Sequence, residues 1–121
     1  MELRNPLTRA QLDRLRPRPL VAEFTHTDFP GPVLVGVIPA THVVRDTVVE
    51  IQSPFDGGVT ITVGDAVAQG RLQTVADNRP QRIDYYNVNN VYEYSVDTEV
   101  YVYFPSGTPT QGRARVVIFV D

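Results

Sequence analysis

From Val21 to the C-terminus the sequence keeps a period of two, and that alternation is what most restricts its fold. "VVRDTVVEIQ" sets Val43, Arg45, Thr47, Val49 and Ile51 on one side. "GVTITVG" sets Val59, Ile61 and Val63 inward against Thr60 and Thr62. "NVYEYSV" alternates Tyr92, Tyr94 and Val96 with Val91, Glu93 and Ser95. "TEVYVYF" alternates Val100, Val102 and Phe104 with Glu99, Tyr101 and Tyr103. "RARVVIFV" opposes Ala114, Val116, Ile118 and Val120 to Arg113, Arg115, Val117 and Phe119. Successive side chains of a strand point to opposite faces, so each run reads as a strand with one buried face. β-Branched and aromatic residues, which fit a pleated surface, fill these runs. Two earlier runs are weaker: "LVAEFTHTD" alternates loosely, and "GPVLVGVI" is an apolar stretch framed by Pro32 and Pro39.

Turn residues separate the runs in "PFDGG", "DNRPQ" and "FPSGTPTQG". Asp56-Gly57 is the strongest local hairpin sequence, because Gly tolerates the positive φ of a two-residue turn. The connection "PSGTPTQG" is long enough for a loose hairpin or a crossover. The body shows no helical period. Seven or eight short strands in about 100 residues predict an all-β domain, a single antiparallel β-sandwich or jelly roll, over residues 21–121. The whole chain, 121 residues, suits one domain of this kind.

Residues 1–20 have a different texture and are expected to form an extended N-terminal arm. Thr8 followed by Gln11 is a capping-box pattern that starts a helix. Leu12 and Leu15 then lie one turn apart. Pro17 ends that helix, and "RPRPL" continues as extended chain. A helix of about eight residues is not stable alone in water, so the segment either orders on a partner or is an ordinary frayed terminus. Charge divides at the same place. Residues 1–20 hold Arg4, Arg9, Arg14, Arg16 and Arg18 against Glu2 and Asp13, a formal +3. Residues 21–121 hold six Arg against twelve acids, a formal −6. A basic arm on an acidic body argues against direct nucleic-acid binding, which calls for a basic folded face.

Residues for catalysis are sparse. There is no Cys, hence neither disulfide nor thiolate chemistry. His26 and Asp28 would share a strand face, but one His and one carboxylate supply at most two ligands, and a solvated or hydrogen-bonded His at a strand end is the preferred reading. Ser53, Ser95 and Ser106 lack the glycine elbow of a nucleophile. Glu93 with Asp97 or Glu99 could pair as acid and base only inside a cleft, and a small sandwich seldom makes one. Asp84, Asn87, Asn89 and Asn90 offer oxygens for Ca²⁺ but match no binding-loop spacing, so they read as an Asn-rich turn. No catalytic, cofactor-binding or metal-binding residues are expected. No apolar run is long enough to cross a bilayer, and residues 1–20 lack an apolar leader, so a cytoplasmic origin is expected.

The tyrosines carry the remaining information. Tyr101 and Tyr103 lie opposite Val100, Val102 and Phe104, so a Val core leaves a Tyr face outside. With Arg113 and Arg115 it would make a partner-binding face, since Tyr and Arg are enriched in interfaces. Internal packing and a sugar-binding platform are the other readings of the same face.

The order of three phrases resembles a small β domain of virion structural proteins in tailed bacteriophages. These are a Phe-Asp-Gly turn followed by "TVGDA", then "YEYSVDTEVYVYF", then "SGTPTQGRARVVIFV", within residues 40–121. The resemblance implies a head decoration or cement protein, or a fibre-type module. It implies a homo-oligomer, with a trimer favoured, whose partner is the major capsid protein and whose location is the virion. It supplies no role for residues 1–20. On that reading Arg4, Arg9, Leu12, Arg14, Leu15, Arg16 and Arg18 would hold neighbouring subunits. A carbohydrate-binding module that uses the Tyr face is the alternative from another class.

Overall fold

A computed structural model describes residues 19–121. The arm candidates Arg4, Arg9, Leu12, Arg14, Leu15, Arg16 and Arg18 lie outside the described residues, as does the Thr8–Gln11 cap. Eight strands follow: β1 Leu20–Thr25, β2 Val33–Ile38, β3 Val43–Ser53, β4 Thr62–Gly64, β5 Asp84–Val88, β6 Tyr92–Glu93, β7 Thr98–Tyr103 and β8 Arg113–Val120. The only helical elements among the described residues are single 3-10 turns at His26–Asp28 and Val75–Asp77. Thus in "THTD" Thr25 ends β1 and His26–Asp28 form a turn, so His26 and Asp28 do not share a strand face. Its Asp28 carboxylate accepts from the Thr25 N–H at 2.8 Å, as a cap.

The strands form two antiparallel sheets. One has the order β1-β8-β3-β5, with β6 also paired to β3, and the other has the order β2-β7-β4. The pairings nest: β1 lies on β8, β2 on β7 and β3 on β6. Successive strands β1 to β4 alternate between the sheets. One long antiparallel ribbon wrapped around a core produces this nesting, so the sandwich is a jelly roll. The eighth strand comes from "DYYNV": Asp84 and Asn87, read as turn residues, pair in β5 with Ile51 and Val48 of β3.

The inner faces follow the alternation closely in β7 and β8. Val100, Val102, Ala114, Val116 and Ile118 are fully buried, and Val120 nearly so. They meet Val44, Val49 and Ile51 of β3 and Val63 of β4, with Ile61 and Leu72 from the connections on either side of β4. Each buried aliphatic side chain contributes about 1.5–3 kcal/mol, which makes this contiguous apolar layer the main stabiliser. Phe24, Phe29, Phe55 and Phe104 fill one part of it, with Phe29 stacked on Phe104 at 3.8 Å between ring centroids.

Three expectations from the alternation need correction. First, Arg45 is not on the face of Thr47, Val49 and Ile51. The β3–β8 register shifts between Val44 and Asp46, and this extra residue turns Val44 inward and Arg45 out to pair with Asp121. Second, Asp56-Gly57 makes a turn but not a hairpin, because β3 and β4 belong to different sheets. The Asp56 carboxylate instead accepts from the N–H groups of Thr110 at 2.6 Å and Gln111 at 3.2 Å, tying this corner to the β7–β8 connection. Third, Thr62 pairs with Tyr103 on the outer face of its sheet, as expected, yet is only 5% exposed.

The Thr62 hydroxyl is buried without a hydrogen-bond partner among the described residues. An unpaired buried hydroxyl costs about 1–3 kcal/mol. Thr62→Val keeps the shape and removes the hydroxyl, so it should raise the urea midpoint by the equivalent of about 1 kcal/mol. A midpoint that falls would mean the hydroxyl is solvated.

Candidate functional site

The outward faces of the two sheets are candidate surfaces, and they differ in chemistry. On the β1-β8-β3-β5 sheet, Glu23, Arg115, Glu50 and Tyr85 fall in one row across four strands. Arg115 donates twice to Glu50, at 2.6 and 3.0 Å. Arg113 lies 3.7 Å from Glu23. Both Arg are therefore matched within their own sheet, and this face is close to charge-balanced.

On the β2-β7-β4 sheet the outward face is aromatic and aliphatic. Tyr101 and Tyr103 lie two residues apart on β7, with ring centroids 5.8 Å apart. Leu34, 50% exposed, is the cross-strand partner of Tyr101 on β2, and Val37 is the partner of Glu99. The Tyr101 hydroxyl donates to Glu99, and that bond raises its pKa. Burial raises the Tyr103 pKa, and the Asp65 charge adds to it. Both hydroxyls stay neutral donors at ordinary pH.

The expected four-residue face therefore divides. The structure brings Tyr101 and Tyr103 together and places Arg113 and Arg115 on the other sheet. Residues 104–112, between β7 and β8, cross from one sheet to the other, so the two strands turn their outer sides to opposite surfaces.

A second cluster, not anticipated from the sequence, organises the loop after β4. Asp65 is 3% exposed. Its carboxylate accepts from the N–H groups of Val67 at 3.0 Å and Ala68 at 2.8 Å, from Arg71 Nε at 2.6 Å and from Tyr94 Oη at 2.9 Å. Burial pushes the Asp65 carboxyl up, but the bonds from Arg71, Ala68 and Tyr94 outweigh it and hold the pKa below the ordinary value. Burial, then the bond to Asp65, raises the Tyr94 hydroxyl far above its usual range. Arg71 lies over the Tyr92 ring at 4.5 Å, and Asn90 donates to the Arg71 carbonyl. The network fixes the loop against β6. The sequence hint was Gly64-Asp65 followed by free N–H groups, an Asx-type turn.

That loop and β7 enclose a groove of ≈ 390 Å³ whose apolar lining includes Val67, Val96 and Tyr101. Val67 is 90% exposed and Val96 is 64% exposed. Asp97 and Glu99 also line it. Among the described residues, no three His, Cys, Asp or Glu side chains come together as a metal site. His26 and Asp28 stay in their turn, and Asn90 is taken by Arg71.

No protein-family model matches the sequence, and no curated protein matches it. Solved structures do match. A chain in the acidic stable capsid structure of Helicobacter pylori bacteriophage KHP30 superposes with a TM-score of 0.71 at 10% identity, covering 86% of this chain and 86% of that one. A chain in the capsid asymmetric unit of cyanophage Pam1 gives 0.65 at 17% identity, covering 86% and 83%. The fold is thus one found in phage capsids, in agreement with the resemblance read from the three phrases. Nearly equal shares of coverage mean that those chains are close to this one in length.

Proposed function

We propose that this chain is a non-enzymatic structural protein of a phage virion that decorates or cements the capsid shell. The observation that carries this reading is the likeness, over most of both chains, to capsid chains of matching length. The outer face of the β2-β7-β4 sheet supports it. Leu34, Val37, Tyr101 and Tyr103 present rigid apolar area with polar tips, the composition of a docking surface. On this reading the face seats between subunits of the major capsid protein, and residues 1–20 run along the shell. Arg4, Arg9, Arg14, Arg16 and Arg18 pair with acidic shell patches, and Leu12 and Leu15 pack beside them. Such charge pairs set registry and association rate more than affinity. A homotrimer at a junction of three shell subunits is the assembly this reading favours.

The test uses the full chain with Arg4, Arg9, Arg14, Arg16 and Arg18 all changed to Gln. At low salt its binding to particles stripped of the wild-type protein should weaken by about tenfold or more, the ratio about 1.4 kcal/mol supplies. Binding that is unchanged, and equally salt-dependent, would refute the arm mechanism.

A further inference from the structure

We infer that the free edge of β5, with the groove beside it, is a docking site for an extended acidic segment of a partner protein, which adds to the β1-β8-β3-β5 sheet as a further strand. Unpaired backbone, unpaired guanidinium groups and a rigid wall coincide there.

The backbone is that of an edge. β5 ends its sheet and pairs with β3 alone. Alternate N–H and C=O groups along its other side therefore lack a strand partner. Outside the ladder, no backbone group of the described residues bonds to the backbone of Asp84–Val88. The Tyr85 N–H donates instead to the Asp84 carboxylate at 2.8 Å, so a neighbouring side chain serves it in place of a strand. β5 has no Pro, and its one charged residue stands at its start, so little blocks the edge against pairing.

The groove lies between β5 and the segment 75–82 and measures ≈ 450 Å³. Arg79 and Arg82 line it with Asp84 and Tyr86 of β5. Arg45, Arg71, Arg113 and Arg115 each pair with an acid. Arg79 and Arg82 have no acid partner among the described residues. They stand at the two ends of one tight turn, because the Arg82 N–H donates to the Arg79 carbonyl at 3.0 Å. Asp77 and Asp84 also line the groove, but both carboxylates are engaged locally. Asp77 accepts from the Thr74 N–H and hydroxyl, and Asp84 from the Tyr85 N–H. Neighbouring guanidinium forks without an acid suit carboxylates from outside. Asn78 adds an acceptor. Its Nδ2 donates to the Ile61 carbonyl and to Gln73 Oε1, while its buried Oδ1 has no donor among the described residues. A backbone N–H is a group that such an acceptor takes.

The wall is tied down. Gln73 Nε2 donates to the Thr47 and Tyr86 carbonyls, Gln81 Nε2 to the Val59 carbonyl, and Tyr86 Oη to the Arg82 carbonyl. A wall held this way loses little freedom on binding. Connections as long as residues 65–83 are usually functional or disordered, and this one is ordered by its own bonds.

The chemistry selects the occupant. A strand added to an edge gains affinity from main-chain bonds and specificity from alternate side chains. Alternate Glu or Asp side chains would meet Arg79 and Arg82. A basic segment, such as residues 1–20 of a second copy with a formal +3, has the wrong sign. This edge is a surface separate from the Tyr101–Tyr103 face, and the inference does not depend on the virion reading.

The probe is a short capped peptide alternating Glu and Val, titrated into the full chain while the protein amide resonances are followed by NMR. Shifts should concentrate on Asp84–Val88 and on residues 78–82 at about millimolar peptide. Lys in place of Glu in the peptide should weaken binding about tenfold or more, and so should Arg79→Gln with Arg82→Gln in the protein. Both Arg are exposed, so that variant keeps its fold. Methylating the backbone nitrogens of the peptide should abolish binding, because the strand bonds are lost. Shifts absent from β5 would overturn the inference. A Lys peptide or a methylated peptide that binds as well as the original would overturn it too. Shifts on β5 that grow with protein concentration in the absence of peptide would also overturn it, and would give the edge to a second copy.

Discussion

Asp65→Ala should cost about 3 kcal/mol and lower the melting temperature by about 15 °C. The carboxylate has four donors, and removing it leaves two N–H groups, the Tyr94 hydroxyl and the Arg71 guanidinium without their acceptor. The low end of the range for a broken buried pair applies, because the Arg71 side chain keeps 25% of its surface in water. Acid should reproduce the effect in the wild type. The folded-state pKa of Asp65 is lowered from 3.8, so below that value the unfolded chain binds the proton more readily. The contribution of Asp65 is complete above the unfolded value and is lost as pH falls through the lower folded value. Calorimetry over a pH series should show a constant gap between wild type and variant down to about pH 5, closing below about pH 4. A gap that stays constant into strong acid would remove the carboxylate from the explanation.

Gly112→Ala should cost about 4 kcal/mol, from two causes. Gly112 has φ +137, where an L side chain is strained. A Cβ there would also stand 2.2 Å from the Phe55 ring. Phe55 packs against Phe24 and Phe29, so it has no free direction in which to yield. Gly58→Ala separates the causes. Its φ is +68, but a Cβ there meets nothing within 4 Å, so only strain remains, about 1 kcal/mol. Urea midpoints of the two variants should differ accordingly. Equal losses would mean that the Phe55 contact relaxes at no cost.

The period of two located the strands, because residue type and burial agree wherever the ladder is regular. β7 and β8 follow it residue by residue. It failed at Arg45, where one bulged residue inverts the pattern without changing the composition. It also passed over β5, an edge strand whose inner positions Tyr86 and Val88 are only half-buried and whose "DYYNV" is otherwise exposed and polar. Strand order was not legible, since a turn sequence such as Asp56-Gly57 states that the chain reverses but not which sheet receives it. For that reason the Tyr pair was legible as an outer face, while its grouping with Arg113 and Arg115 was not. The Asp65 network escaped for another reason: a carboxylate that accepts from its own loop and from a Tyr 29 residues away leaves only a short local trace in sequence.

The central claim is a structural role across a phage shell. The most direct measurement is the ratio of this chain to the major shell protein in purified particles from its source, by quantitative mass spectrometry. A stoichiometric ratio, a fixed number of copies for each repeating unit of the shell, is the predicted result. A ratio that allows copies at a single vertex, or particles without this chain, would contradict it.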